Sequence, residues 1–207
     1  MTDSATHSAD DIAYVRRLAE SGARAPLIGG RFMAWWGLLV AAAWTAQHLA
    51  VNGTIGDGNT IFGIIWASFG IAGMLGQFVL ARTMPAKVGE GSAGNRASRV
   101  VWGAGAMAIV SMVVGVAFLA GGPLGYDAFD WIVPVALAVY ACALIVTGAL
   151  AGERIALVAG YGAVVMVGLY TAFILDPNRY LIAAAGAAAT MLLPGILLML
   201  REPRSEA

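Results

Sequence analysis

The chain has 207 residues, of which 60% are hydrophobic and 12% charged, its formal net charge is zero, and its mean hydropathy is +0.80. Soluble globular domains carry about 25% charged residues, so this composition excludes a protein whose whole surface faces water. The single cysteine, Cys142, excludes a disulfide framework and a cysteine-based metal site.

The first 31 residues are mostly polar and form an N-terminal arm. Their pattern predicts a short amphipathic helix over residues 10–21. Three apolar side chains of this helix share one face: Ile12, Val15 and Leu18. Pro26 and the pair Gly29-Gly30 then predict a break before the first apolar segment. We expect the helix to lie along the membrane face and to offer its apolar face to a cytosolic protein partner, as helix-in-groove peptides do.

Six apolar segments follow the arm, and each has about 20 residues, which is enough to cross a hydrocarbon core about 30 Å thick. They cover residues 33–51, 61–81, 100–120, 131–150, 155–175 and 180–200. None carries a charge in its middle, and none alternates as the strands of a membrane barrel do. We therefore predict an all-α, polytopic membrane protein with six transmembrane helices in three hairpins. Its arm covers residues 1–31, its membrane domain 32–200 and its cytosolic tail 201–207.

The loops between these segments differ in charge. Of the 12 lysine and arginine residues, only Arg179 falls on the side that carries Asp57, Asp127, Asp130 and Asp176. Cytoplasmic loops are enriched in lysine and arginine. The distribution therefore predicts that both termini are cytoplasmic.

Residues 12–37 resemble the opening of a group of uncharacterised, small multi-helix bacterial inner-membrane proteins. Besides the short amphipathic helix, the resemblance rests on Gly22, Pro26, Gly29-Gly30 and Trp36-Gly37. Proteins of that group often accompany a small winged-helix transcriptional regulator. The resemblance implies a bacterial cytoplasmic membrane and a regulatory setting, and it transfers no catalytic residue.

A candidate polar site lies towards the outer ends of the first two segments, at Gln47, His48 and Ser68. The run Trp66-Ala67-Ser68-Phe69-Gly70 loosely resembles the Gly-x-Ser-x-Gly run of rhomboid intramembrane proteases, with Trp66 where a glycine belongs. One interpretation is therefore a serine–histidine dyad. The other is a serine bonded to its own helix and a histidine at the membrane interface.

The segments contain no acidic residue and a single histidine, so they offer no pair of ligands for haem or zinc and no proton relay. We expect no catalytic residue, cofactor or metal. The expected function is that of a non-enzymatic accessory or sensory and regulatory protein that acts through helix packing and its arm. A transporter of small molecules or lipids with an uncharged cavity stays open, and so does an intramembrane serine hydrolase. Expected partners are the lipid bilayer, a cytosolic protein and a second copy of the chain, with no direct contact to nucleic acid.

Overall fold

The structure, a computed structural model, describes residues 27–56, 58–83, 90–120 and 125–202. Within these ranges there are six long helices and no strand, which confirms the predicted all-helical class. They are α1 (Gly30–Val51), α2 (Gly58–Thr83), α3 (Ala93–Ala120), α4 (Ile132–Ala151), α5 (Arg154–Ala172) and α6 (Arg179–Arg201). A 3-10 helix, Gly125–Trp131, leads into α4. The predicted arm helix, with Ile12, Val15 and Leu18, lies outside the described residues.

Five of these helices, α2 to α6, are long and apolar enough to cross a membrane. This finding agrees with the prediction of a multi-pass helical membrane protein. Helix α1 has 22 residues and is long enough as well. It does not reach the hydropathy of the other five, because it contains three tryptophans as well as Gln47 and His48.

The helices contact one another in the series α2–α1–α6–α5–α4–α3. Neighbours in this series run antiparallel: the start of α1 lies against the end of α6 at Gly30 and Met199, whereas Trp44, further along α1, stacks on Tyr180 at the start of α6. In the most apolar stretches of α6 and α4, 50% and 44% of the residues are buried, against 11% in α2 and 6% in α3. The core therefore lies among α1, α4, α5 and α6, with α2 and α3 outside it.

The closest contact in the bundle joins α1 to α6 and depends on glycine. A Cβ atom built on Gly37 would lie 2.5 Å from the backbone nitrogen of Leu192, and one built on Gly195 would overlap the backbone of Ala34. Small residues let helix backbones approach closely in lipid, where apolar burial alone gives little drive for association. The two helices therefore touch backbone to backbone.

Helix α6 departs from regular α-helix in the turn Ala188–Leu192, which is a π-helical turn. Pro194 follows directly, and a proline ring clashes with the carbonyl group four residues earlier, here that of Thr190. A wider turn relieves this clash. Helix α6 therefore contains a π turn directly before Pro194, at the place where it meets Gly37.

Because neighbouring helices are antiparallel, α1, α3 and α5 begin at the end of the bundle at which α2, α4 and α6 finish. We call this the basic end, since the described residues include six exposed arginines there: Arg31, Arg82, Arg96, Arg99, Arg154 and Arg201. The charged residues at the opposite end, within the described ranges, are Asp127, Asp130, Asp176 and Arg179. The bundle is therefore strongly asymmetric in charge along its length.

Candidate functional site

Residues 27–30, where the arm joins α1, are held at the basic end by a side chain of α3. The Oδ1 atom of Asn95 accepts a hydrogen bond from the backbone N–H of Ile28 at 2.8 Å. Asn95 is only 2% exposed, and its Nδ2 group donates to the Ser92 hydroxyl at 3.1 Å. Because leaving buried polar groups unpaired is costly, these bonds fix the last residues of the arm against α3.

Glu202, directly after α6, holds the same segment. Its Oε1 atom accepts hydrogen bonds from the backbone N–H groups of Gly29 at 3.2 Å and Gly30 at 3.1 Å. The first N–H groups of a helix have no partner within the helix, and a carboxylate there also meets the positive end of the helix dipole. Gly29 has a φ of +151°, which side chains rarely tolerate, so a glycine is needed at this point. The end of α6 thus caps the beginning of α1.

We call residues 27–30 together with Asn95 and Glu202 the arm anchor. Its apolar part is Leu27, which is 9% exposed and packs into a cluster with Met33 and Leu198. The anchor connects the arm to the beginnings of α1 and α3 and to the end of α6. A movement of the arm base would therefore have to disturb three helices.

Two of the three acidic residues described at the basic end act as helix caps. Glu202 caps α1, and the Oε1 atom of Glu153 accepts a hydrogen bond from the backbone N–H of Ile155 at 3.1 Å, which caps α5. The same Oε1 atom lies 3.9 Å from a terminal guanidinium nitrogen of Arg201, an exposed and therefore weak ion pair. The six arginines described at this end outnumber the three acidic residues described there, so the end carries a net positive charge.

A second polar cluster, the opposite-end cluster, joins the 3-10 helix to the start of α6. Asp130 accepts hydrogen bonds from the Arg179 Nε atom at 2.9 Å and from the Tyr180 hydroxyl at 2.8 Å. The guanidinium carbon of Arg179 also lies 4.5 Å from the centre of the Tyr180 ring. Asp130 is 6% exposed. A carboxylate that is buried, paired and doubly hydrogen-bonded holds two elements together and is poorly placed to abstract a proton from a substrate.

Aromatic side chains extend this cluster into α1 and α2. The ring of Tyr180 stacks on Trp44, with centroids 5.5 Å apart and planes 8° apart, and Trp44 meets Trp66 of α2 edge to face at 4.7 Å. Tyr170 of α5 belongs to the same buried cluster as Trp44 and Tyr180. It is fully buried, and its hydroxyl has no hydrogen-bond partner among the described residues. The cluster thus connects four of the six helices at one level of the bundle.

The residues of the sequence-predicted polar site differ in burial and in hydrogen bonding. Gln47 is buried, His48 is half-buried with its Nε2 atom 2.9 Å from the Asn52 side-chain nitrogen, and Ser68 is exposed. Among the described residues no hydrogen bond joins Ser68 to His48 or Gln47. Within the same ranges, no three histidine, cysteine, aspartate or glutamate side chains lie together as metal ligands would.

Sequence reasoning did not identify the arm anchor or the opposite-end cluster. In the sequence, Asp130 and Arg179 belong to two separate loops. Opposite charges at one membrane edge indicate an ion pair only when the helices beside them are known to be neighbours. Asn95 and Glu202 gave no signal, because their partners are backbone groups far away in sequence. The chain matches no protein-family model, and no curated protein or solved structure is significantly similar to it.

Proposed function

We propose that the chain is a multi-pass protein of the bacterial cytoplasmic membrane that works, without catalysis, as an accessory or regulatory component. In this proposal, its N-terminal arm binds a cytosolic protein and the membrane bundle holds the arm in place. The observation that carries the proposal is the arm anchor, because Asn95 and Glu202 accept hydrogen bonds from the backbone N–H groups at the base of the arm.

The proposed membrane arrangement has six spans in three hairpins. Support for α1 as the sixth span comes from its packing, since it lies antiparallel along α6 from Gly30 beside Met199 to Trp44 beside Tyr180. A helix that follows a membrane span over this length crosses the same thickness. An even number of spans puts both termini on one side of the membrane.

The proposed orientation places the basic end in the cytoplasm. The six arginines described at the basic end are all exposed, and the one arginine described at the opposite end, Arg179, is paired with Asp130. An excess of arginine and lysine near the ends of spans favours retention on the cytoplasmic side. In this orientation the arm and its anchor both face the cytoplasm.

The proposed binding surface is the apolar face of the predicted arm helix, formed by Ile12, Val15 and Leu18. Burying one such side chain contributes roughly 1.5–3 kcal/mol before ordering costs, so three of them hold only weakly to lipid on their own. A protein groove that accepts the same face adds shape complementarity and hydrogen bonds at its rim.

The experiment compares three tagged forms of the full chain, purified from native membranes in a mild detergent. The first is unaltered, the second carries Ile12→Ser, Val15→Ser and Leu18→Ser, and the third, a matched control, carries Asp10→Asn, Ala13→Ser and Arg17→Gln on the other face of the predicted helix. We expect one cytosolic protein to co-purify with the first and third forms and to be lost from the second. Equal recovery from the second form would contradict the proposed surface.

A truncated form that lacks residues 1–22 separates binding from folding. We expect it to insert into the membrane and to remain monodisperse in detergent, since the arm anchor and the helix contacts of the described residues remain in this form. Aggregation of this form would mean that the arm belongs to the fold, which would contradict the proposal that it serves a partner.

A further inference from the structure

The series of helix contacts curves back on itself and leaves an opening between α2 and α3. Side chains of α1 and α4, which are separated by two helices in the series, meet in one apolar cluster that contains Val40, Trp44, Val133 and Leu137. Helix α2 packs on α1 and helix α3 packs on α4, but α2 and α3 make no extensive contact with each other in the described residues. The two least buried helices therefore border an opening that faces the side of the bundle, with α1 and α4 as its floor.

The opening is closed at the opposite end. Phe62, in the first turn and a half of α2, packs against Phe129 of the 3-10 helix, with ring centroids 5.2 Å apart. Further towards the basic end, half-buried aromatic residues line each side: Trp36 packs on Phe69 between α1 and α2, and Trp102 packs on Tyr140 between α3 and α4. Such walls suit acyl chains.

The floor of the opening is incompletely filled. A cavity of about 20 Å³ lies between α1, α4 and α6, bordered by Val40, Trp44, Leu137 and Tyr140. A void of this size holds at most one or two water molecules, and its lining is apolar, so water gains little there. A flexible apolar chain lying over the floor would cover this void.

The basic end supplies a charge complementary to a lipid phosphate on both sides of the opening. Arg82 lies in the last turn of α2, with its guanidinium carbon 4.2 Å from the centre of the Phe78 ring. Arg99 lies in the second turn of α3 and donates to the backbone carbonyl of Glu90 at 3.1 Å. Both are exposed, and neither forms an ion pair with a described residue.

We propose that an anionic glycerophospholipid of the membrane leaflet at the basic end occupies this opening. Its acyl chains lie between α2 and α3, and its phosphate lies between Arg82 and Arg99. The site rests on the membrane arrangement proposed above but does not depend on the arm or its partner. Arginine suits this role because its planar guanidinium group can donate two hydrogen bonds to one phosphate.

The test is native mass spectrometry of the full chain in detergent, titrated with phosphatidylglycerol or with phosphatidylcholine. We expect at least one phosphatidylglycerol to bind more than tenfold more tightly than phosphatidylcholine. The double variant Arg82→Gln/Arg99→Gln should weaken phosphatidylglycerol binding by roughly fivefold for each arginine removed, the effect of one basic residue near an anionic surface. The double variant Arg82→Lys/Arg99→Lys should recover most of this loss.

The matched control is the double variant Arg154→Gln/Arg201→Gln, which removes the same charge from the same end of the bundle but from α5 and α6, away from the opening. It should bind phosphatidylglycerol within twofold of the unaltered chain. Equal losses in the two glutamine variants would mean a diffuse attraction to the whole basic end and would overturn the site. Equal binding of the two lipids would overturn it as well. Partner recovery should be the same in all of these variants, so this test and the arm test fail independently.

Discussion

The tight contact between α1 and α6 makes a strong prediction at Gly37. A Cβ atom at this position would lie 2.5 Å from the nitrogen and 2.8 Å from the Cα atom of Leu192, and 2.9 Å from the carbonyl carbon of Met191. Carbon atoms in contact are usually separated by about 3.5–4.0 Å, so Gly37→Ala must push the two backbones apart by roughly 1 Å. These are backbone atoms and cannot rotate away.

The expected cost of Gly37→Ala follows from overpacking, which destabilises cores by about 1–3 kcal/mol. Helix propensity acts in the opposite direction, because alanine is favoured over glycine by up to about 1 kcal/mol in a helix. Gly63→Ala is the matched control, since nothing lies within 4 Å of a Cβ atom there and only the propensity effect remains. The difference between the two variants therefore isolates the α1–α6 contact.

The assay is reversible unfolding of both variants by SDS in mixed micelles, with the free energy of unfolding compared to that of the unaltered chain. We expect Gly37→Ala to be less stable by about 1–2 kcal/mol after the propensity gain is included. Gly63→Ala should be unchanged or slightly more stable. If both variants shift stability equally, α1 and α6 do not touch at Gly37, and the reasoning that makes α1 a sixth span loses its support.

Three further predictions concern single polar residues. Asp130→Asn should lower the free energy of unfolding by about 2–3 kcal/mol, because it leaves Arg179 partly buried without its counter-charge. The control Asp176→Asn lies in the turn before α6 and should change the free energy of unfolding by less than about 0.5 kcal/mol. Equal effects of the two would contradict the role of the buried ion pair. Glu202→Gln should speed hydrogen exchange at Gly29 and Gly30, measured by mass spectrometry, because a neutral amide oxygen caps a helix start more weakly than a carboxylate; unchanged exchange would remove Glu202 from the arm anchor. Ser68 should not react with serine-directed fluorophosphonates, because among the described residues no base is bonded to it, and specific labelling lost in Ser68→Ala would reveal a hydrolase instead.

The positions of the helices were predictable from the sequence because the signal is local. The apolar runs at 61–81 and 155–175 correspond to Gly58–Thr83 and Arg154–Ala172. The start of α3 was placed near residue 100, whereas the helix begins at Ala93, since its first turns are polar and lack the apolar run that marked the other starts. Hydrophobic length reveals a span but not a polar extension of its helix.

The packing faces were not predictable in the same way. Small residues four positions apart occur at Gly63/Ala67, which are both exposed, and at Gly186/Thr190, which are both buried against α5. Spacing permits a close approach, but the neighbour that approaches is decided by the whole bundle. Similarly, the pairing of Asp130 with Arg179 depends on the 3-10 helix meeting the start of α6, 49 positions along the chain.

The central claim is a six-span bundle whose arm, arm anchor and basic end all face the cytoplasm. Its most direct test is a set of reporter fusions placed after Gly53, Gly91, Gly125 and Asn178. At each position, one fusion carries a reporter that is active only outside the cytoplasm, and a second carries a reporter that is active only inside it. The account predicts external signals after Gly53, Gly125 and Asn178 and a cytoplasmic signal after Gly91. A cytoplasmic signal after Gly53 together with a cytoplasmic N-terminus would mean that α1 does not cross the membrane, and a reversed pattern at all four positions would contradict the orientation.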